Sequence, residues 1–198
     1  RRRFLTISAA ACATPATAAP YRWQGIAMGA EIGLTLDAPA ALAQPAIRKV
    51  RALLSNCERL FSLYDPQSTL SRLNRDGQLS GPAPEFHRLL SHCDQMHAIT
   101  GGHFDPTVQP LWMALAKGRD SDAARQLIGW DRVTVSPRKI TLDSGQNLTL
   151  NGIAQGFATD LVAQALRQAG LTRILVNIGE FHAGGRAWRL GISDPVHG

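Results

Sequence analysis

The sequence predicts an α+β domain with mixed and antiparallel sheets and packed helices. Three observations carry this expectation. Apolar residues recur at period two in some segments and at three-four spacing in others. Two short alternating runs flank Pro137 as a hairpin. No G-x-G-x-x-G or G-x-x-x-x-G-K loop marks a Rossmann or P-loop unit. The 198 residues suit one domain, and 44% hydrophobic with 18% charged residues excludes a disordered, coiled-coil or collagenous chain.

Residues 1–19 read as a leader. Arg1-Arg2-Arg3 precede an apolar stretch from Phe4 to Ala13, and Ala16-Thr17-Ala18 forms an A-x-A-like cleavage site. The stretch is shorter than the roughly 20 residues of a membrane span. Paired arginines before Phe4-Leu5 resemble a twin-arginine export signal, with an ordinary secretory leader as the alternative, and imply a periplasmic protein. The missing initiator Met suggests that a few residues precede Arg1, and Cys12 raises the lesser option of a lipid anchor.

The domain then runs from residue 20. Met28, Ala30, Ile32, Leu34 and Leu36 alternate as one face of a strand. Pro45 opens a helix in which Ile47, Val50, Leu53, Leu54, Cys57, Leu60 and Phe61 form the apolar stripe, ended by Asp65-Pro66. A helical turn covers Ser68 to Asn74 with a hydroxyl N-cap. Phe86, Leu89, Leu90, Cys93 and Met96 mark another amphipathic helix, closed at Gly101-Gly102. Arg132–Ser136 and Lys139–Asp143 make the hairpin, and Asn147–Leu150 a further strand. A helix over Gly156–Ala169 stops at Gly170, and Arg173–Ile178 and Trp188–Ile192 close the series as strands.

The net charge of +6 falls to +3 from Tyr21 onward, because the leader holds three arginines and no acid. The remaining cations form no run longer than an adjacent pair and no aromatic interleaving, which excludes a nucleic-acid groove. His87, His92 and His97 are five residues apart, so successive rings point about 140° apart on a helix and share no metal. Cys93 and His97 stand one turn apart without a third ligand. Cys57 and Cys93 fall on apolar helix faces and read as buried thiols, with a disulfide between them as the alternative in an oxidising compartment.

Polar, glycine-rich blocks at element ends carry the functional signal. They are Met28-Gly29, the block from Phe61-Ser62 through Tyr64-Asp65-Pro66 to Ser68 with Leu73-Asn74, and Thr100-Gly101-Gly102-His103-Phe104-Asp105-Pro106-Thr107. Asn151-Gly152-Ile153-Ala154-Gln155-Gly156-Phe157-Ala158 with Asp160, Val176-Asn177-Ile178-Gly179-Glu180, and Trp188 through Asp194-Pro195 follow. Singly, each is a turn or cap. In this order, over residues 28 to 195, they resemble the ApbE family of FAD:protein FMN transferases.

The resemblance implies an ApbE-like flavin transferase fold and a reaction. Such enzymes bind FAD and Mg²⁺ and move FMN onto a Thr or Ser hydroxyl of an exported or membrane redox protein, releasing AMP. FAD pyrophosphate hydrolysis is one alternative. A non-catalytic FAD-binding accessory role in maturing a respiratory complex, for example in nitrous oxide reduction, is the other. Membrane association would come through the acceptor or a lipid anchor. By position, the resemblance implies nucleotide contacts from Met28, Tyr64, His103, Phe104, Asp105, Thr149 and Gln155, and a metal contact from the Gly152 carbonyl. The chain departs from the family pattern at Thr149, where Asp is frequent, and at Gln155, where Lys or Glu is. Ala30 stands in place of Thr, and Glu180 in place of a second glycine. Family members also continue past the Asp-Pro block into a segment with the metal's side-chain ligands, so the 198 residues alone are expected to be poorly active.

Overall fold

The computed structural model describes residues 19–190; residues 1–18, nearly all of the expected leader, and the final eight residues, including Asp194-Pro195, lie outside the described residues. Strands β1 (Tyr21–Ala27) and β2 (Ala30–Leu36) form a hairpin, followed by helices α1 (Ala40–Phe61) and α2 (Thr69–Asp76). Then come β3 (Gln78–Ser80), α3 (Pro84–Ile99), a 3-10 turn at Pro106–Val108, α4 (Gln109–Ala116) and α5 (Asp122–Arg125). A second 3-10 turn at Trp130–Arg132 leads into β4 (Thr134–Val135) and β5 (Lys139–Thr141). Helix α6 (Ala154–Gln168) and strands β6 (Ile174–Asn177) and β7 (Phe181–Gly184) complete the order.

A four-stranded antiparallel sheet, β1-β2-β6-β7, joins the two ends of the domain, and β3-β5-β4 makes a small antiparallel sheet of its own. This is the α+β class the sequence predicts. Ile32, Leu34 and Leu36 of β2 point into the core with Ile174 and Val176 of β6. Helices α1 and α6 pack against each other and against this sheet, burying Val50, Leu54, Ala158, Val162 and Leu166. Phe61 joins the layers, with its ring centroid 5.8 Å from both Phe86 of α3 and Phe157 of α6.

Several boundaries differ from the sequence expectation. Helix α1 begins at Ala40, and Pro45 lies inside it, exposed; the Ala-rich opening turn buries Ala43 fully, and Pro45 leaves only a surface carbonyl without its helical partner. The strand expected from Met28 starts at Ala30, because Met28-Gly29 is the turn itself. Asn147–Leu150 alternates in burial but joins no sheet. The Asn74 side chain takes the place of a strand neighbour, accepting from Leu148 N at 2.7 Å and donating to Leu148 O at 2.9 Å. Residues 188–190 of the last expected strand are irregular, and Gly191 and Ile192 lie outside the described residues. Cys57 and Cys93 are free buried thiols, and burial pushes their pKa up to about 11 and about 12.

Candidate nucleotide-binding site

Local chemistry fixes four segments around residues 149–156. The first is the β1–β2 turn, in which Met28 and Gly29 both have positive φ, 53° and 74°. That pair suits a two-residue hairpin turn matched to strand twist. Met28 is the single non-glycine residue with positive φ among the described residues, and its N–H donates to Glu58 Oε1 at 2.8 Å. The second segment follows α1: Ser62 Oγ accepts from the N–H groups of Tyr64 and Asp65, while Ser68 caps α2 by accepting from Ser71 N. This leaves the Tyr64 ring 84% exposed.

The third segment is the loop after α3. Phe104 is pinned at both backbone ends, its N–H donating to Thr100 Oγ1 at 3.0 Å and its carbonyl meeting His97 Nδ1 at 2.9 Å. Asp105 then caps the 3-10 turn, accepting from Thr107 N (2.8 Å), Thr107 Oγ1 (2.6 Å) and Trp130 N (3.1 Å). The fourth is the loop itself: Thr149 N donates to Pro106 O, and α6 starts at Ala154 with no side-chain cap.

Three grooves open on this loop. The first, of about 690 Å³, is lined by Met28, Glu58, Arg59, Tyr64, Ala154 and Gln155 among others. The second, of about 620 Å³, holds Tyr64, Trp112, Met113, Thr149, Asn151 and Gly152. The third, of about 540 Å³, holds Phe104, Gly152, Ile153, Phe157, Asp160 and Glu180. Tyr64 and Asn151 are common to the first two, and Gly152 to the second and third. The three grooves therefore share walls on one loop, with aromatic side chains among their linings and the first residues of α6, which has no side-chain cap, lining two of them. Such a terminus attracts anions.

The structure brings together Met28, Tyr64, Thr149, Gly152, Gln155 and Phe104 along these grooves. It does not bring His103 or Asp105 to them. His103 is exposed beside the loop, and the Asp105 carboxylate, its side chain only 10% accessible, is taken up by protein donors. Gln155 lies against Gly179, where a Cβ would stand 2.7 Å from Gln155 Oε1. Sequence reasoning missed Glu58, Arg59 and Trp112. The first two sit between the apolar positions of a helix and read as solvated face, and nothing at the sequence level places Trp112 in one groove with Tyr64.

The donor set for Mg²⁺ is incomplete among the described residues. The Gly152 carbonyl belongs to an exposed loop residue open to two of the grooves. Yet no group of three His, Cys, Asp or Glu side chains stands close enough to hold an ion. His97, bonded to the Phe104 carbonyl, makes no metal pair with buried Cys93.

The ApbE family profile matches residues 28–198. Among curated proteins, the FAD:protein FMN transferase of Haemophilus influenzae is 27% identical over 181 residues, covering 79% of this chain and 52% of that protein. The one from Chlamydia muridarum is 24% identical, covering 92% and 64%. Among solved structures, the flavin transferase ApbE from Vibrio cholerae superposes with a TM-score of 0.80 at 23% identity, over 89% of this chain and 64% of that one. The Pseudomonas stutzeri flavinyl transferase ApbE, apo form, gives 0.78 at 25% identity, over 87% and 65%. The chain thus spans about half to two thirds of the length of these relatives. With a profile match over most of its residues and the same fold in both superpositions, the chain belongs to the ApbE family.

Proposed function

We propose that this chain carries the dinucleotide-binding part of an FAD:protein FMN transferase. The enzyme moves FMN from FAD onto a Thr or Ser hydroxyl of an exported or membrane redox protein and releases AMP. The observation that carries the reading is the run of three grooves over residues 149–156. FAD has two flat ring systems joined by a pyrophosphate, and this surface offers aromatic or thioether walls at separate points with a helix N-terminus between. Met28, Tyr64 and Trp112 supply contact for rings, and the N–H groups at the start of α6 supply it for phosphate oxygens.

In the reaction the acceptor hydroxyl oxygen attacks the FMN-side phosphorus. A bond forms there, the bond from that phosphorus to the bridging oxygen breaks, the bridging oxygen leaves with AMP, and the hydroxyl proton is lost to solvent. This chain contributes positioning: both ring systems are held, so the phosphorus is presented at a fixed place on the loop. Mg²⁺ dependence, and export to the periplasm on the twin-arginine leader, belong to the same reading.

The test is incubation of the protein with FAD, Mg²⁺ and a redox protein bearing a flavinylation Thr or Ser. Mass spectrometry of the acceptor with quantitation of AMP reads the outcome. FMN covalently on the acceptor supports transfer. Free FMN and AMP in equal amounts would replace transfer by hydrolysis, and FAD retained without AMP release would leave only binding. Failure of the protein to bind FAD would overturn the reading.

A further inference from the structure

The β1–β2 turn is built against its own backbone preference. A two-residue turn with positive φ at both positions favours Asn-Gly, Asp-Gly or Gly-Gly, because a larger side chain is strained in the left-handed region. Here Met28 occupies the first position at φ 53°. The side chain lines the first groove, so the strained residue faces the same space as Tyr64 and Gln155. Strain of this kind persists only where the surroundings fix it. Besides the β1–β2 ladder that closes at Ala27 and Ala30 and the packing of Met28 on the core, one long-range hydrogen bond holds the turn: Met28 N–H donates to Glu58 Oε1 at 2.8 Å, a residue 30 positions on, in the last turn of α1. Glu58 makes no ion pair among the described residues, and it lines the groove beside Met28 and Gly29.

We infer that Glu58 is a positioning residue: its carboxylate holds the left-handed Met28-Gly29 turn so that the Met28 side chain forms one wall of the groove that takes a ring of the dinucleotide. This rests on the reading of the grooves as an FAD site, and adds to it a residue that does not itself contact the ligand. A charge-assisted hydrogen bond to a backbone N–H is the stronger kind. Losing it frees the turn to exchange with conformations in which Met28 no longer covers the groove.

The experiment measures FAD affinity of the full chain by flavin fluorescence, well below the melting temperature, for Glu58→Ala, Glu58→Gln, Met28→Gly and the double variant Met28→Gly/Glu58→Ala. Glu58→Ala is expected to weaken FAD about tenfold, and Glu58→Gln, which keeps the acceptor oxygen, to recover most of that. In the Met28→Gly background, where neither strain nor side chain remains, Glu58→Ala is expected to add less than twofold. A purely structural role would lower the melting temperature and leave affinity in the folded protein unmoved. Should Glu58→Ala not fold, Glu58→Asp serves in its place, since its shorter side chain falls short of the Met28 N–H. Unchanged affinity in the substituted chain, or an equal loss with and without the Met28 side chain, overturns the inference while FAD binding by the parent chain stands. A parent chain that binds no FAD overturns both.

Discussion

Replacing Asp105 by Ala separates two roles that the sequence alone leaves together. The carboxylate accepts from Thr107 N, Thr107 Oγ1 and Trp130 N, and Thr107 Oγ1 in turn accepts from Gly129 N at 2.8 Å. One side chain therefore ties the 3-10 turn at Pro106–Val108 to the one at Trp130–Arg132. Hydrogen bonds to a charged group contribute about 1.5–3 kcal/mol each. Water reaches part of this site, so the low end applies, and three such bonds amount to roughly 4 kcal/mol. In a chain of this size that lowers the melting temperature by about 10 °C. Urea unfolding followed by tryptophan fluorescence measures it directly, since Trp130 is 5% exposed and lies in the network. Asp105→Asn keeps one acceptor oxygen and is expected to lose less than half as much. FAD affinity of the folded variants is expected to stay within about threefold of the parent, because the carboxylate lines none of the three grooves over the loop. An Asp105→Ala chain with unchanged urea midpoint and tenfold weaker FAD binding would refute this and return Asp105 to the ligand.

Other consequences are equally direct. Tyr64→Ala is expected to weaken FAD by about 1–3 kcal/mol, the range for stacking on a flat base, while changing stability by less than about 0.5 kcal/mol, as the ring is 84% exposed; equilibrium binding and thermal melting measure the pair. Gly179→Ala forces a Cβ into the left-handed region at φ 83° and within 2.7 Å of Gln155 Oε1, so a loss of about 1–2 kcal/mol by urea titration is expected. The thiols of Cys57 and Cys93 are expected to resist Ellman's reagent at pH 8 in the folded chain and to react once it is unfolded. Their raised pKa values favour the folded state below the ordinary value of 9.0, and this contribution disappears as pH rises towards about 11 and 12. Melting temperature is accordingly expected to fall above pH 9.

The elements with a wide apolar stripe were legible from residue spacing. Ile47, Val50, Leu54, Cys57, Leu60 and Phe61, and Phe86, Leu89, Leu90 and Cys93, bury as the helical period requires, since nothing but packing decides their faces, whereas Leu53 is only half-buried and Met96 is exposed at the stripe's edge. Strand β1 was not legible, although Arg22, Gln24 and Ile26 are exposed in alternation with Tyr21, Trp23 and Gly25. Ile26 breaks the polarity pattern, and Gly25 is small because the Trp23 ring lies over it, 2.7 Å from where a Cβ would stand. Asn147–Leu150 has a strand's alternation, but its partners are the Asn74 amide and the Pro106 carbonyl, a tertiary pairing that no local period encodes. The same limit applies to the grooves. Met28, Tyr64 and Gln155 come together only because β1 and α6 both pack on α1, and Asp105 leaves the set because Thr107 two residues on and Trp130 25 residues on donate to its oxygens.

The four-stranded sheet makes β2 wait for β6. During synthesis, β1, β2 and α1 emerge long before Ile174–Asn177, the strand that pairs with Gly33–Leu36. Until then one edge of β2 is open and Ile32, Leu34 and Leu36 lack the residues that cover them from the far end. Ribosomal products that stop before Ile174 retain that open edge, and an apolar unpaired edge invites pairing with another chain. Such products are expected in the insoluble fraction, whereas those extending through β7 are not.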